Sequence, residues 1–203
     1  MSGTQLTDIP LFPLNTVLFP GGFLPLRIFE PRYLEMVSSC MQQQTPFGVV
    51  LIRHGGETGA PADTFEVGTL AAIVDFDKGK DGLLMIACIG GDRFRILDRQ
   101  VETNRLQRAR IEVLSPGEDS VLPPEYVPLA GFLRAVVNQP GISRRIAPPD
   151  IDYSSPRELG YRIAELLPVS VQQQQQLLEI DDPLHRLAEI EKMLRGMEFT
   201  LEA

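Results

Sequence analysis

The sequence predicts an α+β fold in which an N-terminal antiparallel β barrel with one short helix is followed by a C-terminal helical bundle. Up to about residue 116, short apolar runs alternate with turn residues, which is typical of strands. After that point the apolar residues recur at helical spacing. We therefore expect a β-barrel domain at residues 1–116 and a helical domain at residues 117–203.

The first strands are expected in a segment rich in proline and phenylalanine, residues 9–36, which reads IPLFPLNTVLFPGGFLPLRIFEPRYLEM. Its five prolines exclude an ordinary helix, because each removes a backbone donor and clashes with the preceding turn. Its apolar runs predict strands at residues 16–19 and 24–29, with prolines at edges, bends and strand starts. Pro31 then suits the first turn of a short helix, whose apolar positions are Leu34, Val37 and Met41.

The remaining strands are predicted at residues 47–52, 65–76, 83–89, 93–97 and 108–113. DKGKDG, residues 77–82, predicts a hairpin loop, and the pair Gly90-Gly91 predicts a bulge or bend. In the last strand Ala109, Ile111 and Val113 alternate with charged residues. One face of that strand is therefore expected to be buried.

The helices of the C-terminal part are predicted from caps and apolar stripes. The residues from Tyr126 to Val137 have apolar positions at helical spacing. Ser155, the first residue of SPRE, predicts a helix start with a capping box. Ser170 is expected to cap a helix that carries the glutamines of residues 172–176 on an exposed face, and Asp182 to cap the last helix.

Composition narrows the class of protein and its partners. Apolar residues make up 43% and charged residues 23%, which is ordinary for a soluble globular protein, and the net charge of −8 disfavours nucleic acid. No apolar run reaches the roughly 18 residues of a membrane helix, and no basic residue precedes Arg27, so neither a membrane span nor a signal peptide is expected. Cys40 and Cys88 are expected to be buried free thiols, with a disulfide as the alternative. Together these features predict a cytoplasmic protein.

The motif search predicts that the chain is not an enzyme and carries no cofactor or metal. The sequence has no phosphate-binding loop, nucleophile elbow or HExxH pair. His54 and His185 lack neighbours at metal-ligand spacing, and the loop that begins at Asp77 has a cysteine where a calcium loop needs glutamate. An active site of carboxylates that only the fold brings together stays open as an alternative.

Six arginines between Arg93 and Arg110 are the feature best suited to a nucleic acid. Arg93 and Arg95 are expected to share one strand face, as are Arg108 and Arg110. Exposed arginines on a small barrel would suit RNA. A solvated strand face is the simpler interpretation, because no aromatic residues are clearly interleaved for base stacking. RNA binding is therefore kept as the alternative function.

Six motifs are shared with a known family: IPLFPL (9–14), VLFPGG (17–22), LPLRIFEPRYLEMV (24–37), GTLAAI (68–73), IGGDRFRI (89–96) and QQLLEIDDPLHRL (175–187). In these motifs the chain resembles the N-terminal, substrate-binding domain of Lon-type ATP-dependent proteases, also known as protease La. The resemblance implies a PUA-like barrel followed by a helical bundle. Full-length Lon proteases continue into ATPase and Ser-Lys peptidase domains, whereas this sequence ends at Ala203, so a stand-alone substrate-binding domain is expected.

The resemblance implies a non-enzymatic module that recognises unfolded or tagged polypeptides, such as an adaptor that works with a separate protease. The candidate peptide contacts are apolar residues of the proline-rich segment: Phe23, Leu24, Phe29, Tyr33 and Met36. An apolar patch on a soluble domain usually marks a partner surface, but these residue types are also commonly buried, so a core position is the alternative for each. No membrane partner is expected, and the protein is expected to be a monomer or a homodimer.

Overall fold

The computed structural model describes residues 6–79, 82–117, 119–139 and 151–197. The chain divides into two compact units, Met1–Ser115 and Pro116–Ala203. Within the described ranges, no helix is long and apolar enough to cross a membrane. The elements of the first unit are β1 (Leu6–Leu14), β2 (Phe23–Ile28), α1 (Pro31–Gln43), β3 (Phe47–His54), β4 (Asp63–Thr64), β5 (Val67–Lys78), β6 (Leu84–Val101) and β7 (Gln107–Val113).

The strands of the first unit form one seven-stranded sheet in the order β1-β7-β6-β5-β3-β4, with β2 paired to β6. β1 also pairs with β3, so the path of hydrogen-bonded neighbours from β1 through β7, β6, β5 and β3 returns to β1. The β1–β3 pairing is parallel, and the other pairings between described residues are antiparallel. The antiparallel pairing, the short helix of the N-terminal part and the helices that follow it are confirmed, whereas the parallel β1–β3 pairing differs from the prediction.

The pairing of β1 explains how a strand accommodates two prolines. β1 pairs with β7 over Leu6–Leu11 on one side, and with β3 over Leu11–Leu14 on the other. Pro10 lies before the β3 pairing begins and Pro13 lies after the β7 pairing ends, so each has a single strand neighbour. Such a position tolerates proline, because the missing N–H need not face a partner. The strand predicted at residues 16–19 is wrong, since the segment that pairs is the preceding one.

The β5–β6 hairpin confirms the prediction made from the sequence DKGKDG. β5 ends at Lys78 and β6 begins at Leu84, while residues 80 and 81 of the loop lie outside the described ranges. The predicted bulge at the glycine pair is also confirmed, because the register shifts between the Thr69–Arg93 and Ala71–Gly90 pairs. Gly90 must lack a side chain there, because a Cβ atom would overlap the carbonyl oxygen of Phe19.

The main core of the first unit lies between α1 and the sheet. α1 buries the stripe formed by Tyr33, Met36, Val37 and Cys40. The predicted stripe of Leu34, Val37 and Met41 is therefore wrong in part, since Leu34 is exposed and Met41 is partly buried. Both sets of residues follow helical spacing, and only the position of the sheet decides which one is covered.

The second unit consists of a 3₁₀ turn and four helices among its described residues. They are Pro124–Tyr126, α2 (Val127–Val137), α3 (Pro156–Leu166), α4 (Val171–Glu179) and α5 (Pro183–Gly196). α3 packs against α2, α4 and α5, and α4 also contacts α5. The predicted loop between α2 and α3 falls largely on residues 140–150, outside the described ranges.

The predicted caps form, with one change. Ser155 and Asp182 accept hydrogen bonds from the third residue of their helices, at 3.0 Å and 2.9 Å. The capping box predicted at Ser155 is wrong, because the Glu158 carboxylate accepts from the amide of Asp152 instead. A complete box forms at Ser170, whose side chain and that of the third helical residue bond reciprocally to the backbone. The glutamine face of α4 is not wholly exposed, since Gln175 is buried.

Candidate functional site

Phe29 lies at the turn between β2 and α1, and 56% of its surface is exposed. A cavity of about 250 Å³ opens beside it. We term this region the Phe29 surface; its lining residues are Phe12, Leu14, Pro25, Leu26, Arg27, Phe29, Glu30, Tyr33, Glu57 and Thr58. An exposed aromatic ring next to a concave, mostly apolar wall is typical of a contact site for a partner.

Buried Arg32 ties the start of α1 to the rest of the first unit. Its guanidinium lies 3.0 Å from the Glu30 carboxylate and donates to the carbonyl oxygen of Arg105 at 3.1 Å. It also lies 4.7 Å from the centre of the Tyr33 ring, and burial raises the pKa of that tyrosine although Arg32 opposes the shift. These contacts satisfy a charge that would otherwise be costly to bury. They also hold the backbone next to Phe29, so the Phe29 surface is preorganised.

The five residues predicted to contact peptide fall into different environments. Phe29 is the most exposed of them, whereas Phe23 and Leu24 are half-buried in β2. Tyr33 is buried and stacks on Phe12 with 4.1 Å between ring centres, so it contributes a wall of the cavity. Met36 is a core residue. Of the five, Phe29 therefore offers the largest accessible surface, and Met36 has the structural role.

The far end of β5 is a second exposed surface. β3 pairs with β5 over residues 69–71, whereas β6 accompanies β5 as far as Lys78. Within the described part of the chain, residues 72–78 thus have a strand neighbour on one side, and we term them the β5 edge. The amides of Phe76 and Lys78 donate to the carboxylates of the preceding residues, Asp75 and Asp77, at 2.9 Å and 2.7 Å. These amides therefore point away from β6.

A groove of about 540 Å³ lies beside the β5 edge. We term it the β5 groove; its lining residues are Cys40, Met41, Gln44, Thr45, Pro46, Leu70, Ala72, Ile73, Val74, Asp75, Phe76, Gly91 and Asp92. Val74 and Phe76 are 57% and 59% exposed. This surface was not among the predicted sites. The alternation of Val74 and Phe76 with two aspartates is the sequence signal that indicates it.

A neighbouring cavity of about 590 Å³ shares part of this lining and adds to its acidic character. The carboxylates that line the two cavities are Asp8, Glu35, Asp75, Asp92 and Glu102. Arg108 is the one basic residue among the lining residues, and its Nε atom lies 3.3 Å and 3.7 Å from two of these carboxylates. The region is therefore electronegative and favours a cationic ligand.

Arg93 and Arg95 lie two positions apart on β6 with no register shift between them, as expected for one strand face, but they are not both exposed as RNA binding would require. Arg93 is 2% exposed, while Arg95 is exposed. Residues two apart on a strand point to the same side, but their exposure depends on what packs over each position.

The other three arginines proposed as nucleic-acid contacts, Arg95, Arg108 and Arg110, have acidic neighbours. Arg108 is half-buried and paired as described above. Arg95 lies opposite Glu112, and Arg110 lies opposite Asp98. The strand face is therefore close to neutral, which does not favour a phosphate backbone.

The cysteines and histidines form no reactive cluster in the part of the chain that is described. Cys40 and Cys88 are buried free thiols, as predicted, and burial raises the pKa of Cys88 to about 12. His54 lies at the end of β3 with its Nδ1 atom 3.2 Å from Asp63, a contact that lowers the pKa of that carboxyl. No group of three His, Cys, Asp or Glu side chains in the described ranges could hold a metal ion.

Comparisons with known proteins agree with the shared motifs. The model of the ATP-dependent protease La (LON) substrate-binding domain matches residues 8–196. The chain is 28% identical over 177 residues to the Lon protease of Anaeromyxobacter dehalogenans and 26% identical over 196 residues to that of Koribacter versatilis. These alignments cover 84% and 92% of this chain but 21% and 24% of the relatives. The chain thus spans about a quarter or less of the length of these proteases.

A solved structure extends the similarity to the fold. The Lon N-terminal domain protein from Xanthomonas campestris superposes on this chain with a TM-score of 0.78 and 35% sequence identity. The superposition covers 92% of this chain and 98% of that protein. The order of strands and helices described above is therefore similar to that of a Lon N-terminal domain.

Proposed function

The chain belongs to the family of the ATP-dependent protease La (LON) substrate-binding domain, and on this premise we propose that it is a non-enzymatic module that recognises polypeptides. A Lon-like recognition role follows from the family. The finer proposal is that the ligand is an unfolded or tagged polypeptide, and that the module acts as an adaptor for a separate protease. The buried, unpaired thiols support a reducing, cytoplasmic setting. We propose a monomer or homodimer as the working form.

The observation that supports this proposal is the Phe29 surface. Unfolded polypeptides differ from folded ones in presenting apolar side chains, and an exposed phenylalanine beside an apolar cavity would bury some of them. Arg32 and Glu30 hold the adjacent backbone, which lowers the entropy lost on binding. Phe23 and Leu24 of β2 are the further candidates for this contact, and Tyr33 acts as a wall of the cavity.

The Phe29 surface can be tested by fluorescence anisotropy with a labelled polypeptide kept unfolded by carboxymethylation of its cysteines. We expect Phe29→Asp to weaken binding by about tenfold, or about 1.4 kcal/mol, because a carboxylate replaces buried apolar area. Val101→Asp is the matched control, since Val101 is also 56% exposed and lies on β6 of the same unit. Equal affinities for the two variants, with unchanged thermal unfolding, would remove the Phe29 surface from the proposal.

The two units also support a finer description of the fold. We propose that the first is a PUA-like barrel, because the pairing of β1 with β3 brings the path of strands back to its start. We propose that the second is a helical bundle built around α3. We further propose that each unit, with the boundary near residue 116, is a folding domain in its own right.

A further inference from the structure

We propose that the β5 edge binds an extended polypeptide segment as an added strand, and that the segment alternates apolar and basic residues. This inference rests on the proposed function and specifies how one class of polypeptide would be recognised. It concerns residues 72–78 and the β5 groove, which are distinct from the Phe29 surface.

The place of the added strand is defined by where β3 leaves β5. The first residue of β3, Phe47, lies opposite Ala71. The segment that precedes Phe47 comes from α1 and does not lie along β5. It changes direction at Gln44, whose φ of 54° is left-handed. If β3 extended further along β5, it would lie beside Ala72 and the residues after it. The β5 groove is found in that place. Residues 72–78 span about 20 Å at the usual rise of a strand, which is enough for a six-residue partner strand.

The hydrogen-bonding groups of this edge are oriented for strand addition. The amides of Phe76 and Lys78 point away from β6, toward the side where a new strand would lie. Their present acceptors are the carboxylates of Asp75 and Asp77, which cap the edge and so discourage indiscriminate pairing. An incoming strand supplies carbonyl acceptors to the two amides and releases both carboxylates.

The alternation of the partner follows from the faces of β5. Phe76 lies opposite Ile86 of β6, whereas Asp75 and Asp77 lie opposite Ala87 and Met85. Residues that face each other across a sheet share one face, so Phe76 is on one face and the two aspartates are on the other. A partner strand would then place apolar side chains beside Phe76 and lysine or arginine beside the released carboxylates. Asp92 in the lining of the groove adds negative charge.

The experiment uses the whole chain and a fluorescein-labelled nine-residue peptide that alternates valine and lysine. Two N-methylated isomers, one methylated at every valine and one at every lysine, each block one hydrogen-bonding edge of the peptide. We expect the parent peptide to bind and at least one isomer to bind at least tenfold more weakly. If both isomers bind as tightly as the unmethylated parent peptide, strand addition is wrong. This test requires no change in the protein.

Protein variants test separately the two faces of β5, one with Phe76 and the other with Asp75 and Asp77. Phe76→Ser should weaken binding at least fivefold, while Val101→Ser, a control of similar exposure, should leave it unchanged. The double variant Asp75→Asn, Asp77→Asn keeps an acceptor oxygen at each position, and should weaken the lysine peptide and flatten its salt dependence. Unchanged affinity in both Phe76→Ser and the double variant would overturn the assignment to this edge.

The outcomes separate this inference from the proposed function. If the unfolded polypeptide binds the wild type, and neither the β5 variants nor N-methylation matter, strand addition at β5 is wrong while the polypeptide-recognition proposal stands. If neither the unfolded polypeptide nor the alternating peptide binds, both proposals are wrong.

Discussion

Two residues three positions apart, Phe29 and Arg32, have opposite environments, and both are needed to account for the Phe29 surface. The apolar ring is exposed, while the charged side chain is buried among Glu30, Tyr33 and the carbonyl of Arg105. This reverses the usual distribution of the two residue types. The buried charge of Arg32 is offset by the Glu30 carboxylate and the carbonyl oxygen of Arg105, which contact its two terminal nitrogens. An exposed phenylalanine is informative because burying it would be favourable.

At Gly90, the addition of a single methyl group should have a large effect on the stability of the protein. Its amide donates to the carbonyl of Gly22 at 2.9 Å, and a Cβ atom at this position would overlap the carbonyl oxygen of Phe19. We expect Gly90→Ala to lower the free energy of unfolding by about 1–3 kcal/mol, because the backbone of Phe19 would have to move. Chemical denaturation followed by circular dichroism measures the change.

Gly131 provides the control for that prediction. It is a helical glycine of α2, and beyond its chain neighbours and its own helix backbone no atom of the described residues lies within 4 Å of where a Cβ would be. Gly131→Ala is expected to raise the free energy of unfolding by about 0.5–1 kcal/mol, since alanine loses less backbone entropy in a helix. A loss of stability of the same size in both variants would contradict the role assigned to Gly90.

At the scale of elements, the same pairing rules explain both the tolerated prolines and the exposed strand end. β1 accepts Pro10 and Pro13 because each lies where β1 has one neighbour. Among the described residues β5 has one strand neighbour beyond Ala71 for the equivalent reason, since β3 starts there. β1 has prolines at such positions, whereas β5 has two aspartates. Their carboxylates accept hydrogen bonds from amides of β5 itself. Both devices limit unwanted strand pairing.

Arg186 of α5 links three helices of the second unit. It is buried, donates to the carbonyl oxygens of Leu177 and Ile180, and stacks 4.1 Å from the centre of the Tyr161 ring on α3. We expect Arg186→Ala to destabilise the chain by about 3 kcal/mol or more, because the carbonyls lose their donor and a cavity forms. Arg186→Lys should not restore stability, since an ammonium cannot bond and stack as the planar guanidinium does. Thermal unfolding of the two variants provides the measurement, and a stable Arg186→Lys protein would count against this role.

At the scale of the whole molecule, the chain combines a sheet-based unit and a helical unit. The cores of the first unit are formed by its strands and α1, and the helices of the second pack on one another. Each unit is compact by itself, which is the property expected of a domain.

Expression of residues 1–116 and residues 117–203 as separate chains tests this division. We expect each segment to unfold cooperatively on heating, the first with a β-type and the second with a helical circular dichroism spectrum. The full chain serves as the reference, and an equimolar mixture shows whether the segments stabilise each other. A segment that shows no cooperative transition alone would mean that it is not an independent domain.

The sequence by itself determined the features that depend on local patterns. Strand alternation predicted the buried face of β7 with Ala109 and Ile111, and the caps at Ser170 and Asp182 followed from residues within one helical turn. The family also followed from contiguous motifs. Each of these signals lies within a few neighbouring residues, so no knowledge of distant contacts was needed.

The tertiary structure alone decided which of these surfaces are covered. It buried Arg93 and Gln175, selected the face of α1 that meets the sheet, and left Phe29 and the β5 edge exposed. Exposure depends on neighbours that are remote in sequence, such as β3, which begins opposite Ala71, so that no second described strand accompanies the following residues of β5. The candidate sites are therefore the surfaces that no other element covers. Local sequence patterns carry little information about which surfaces are covered.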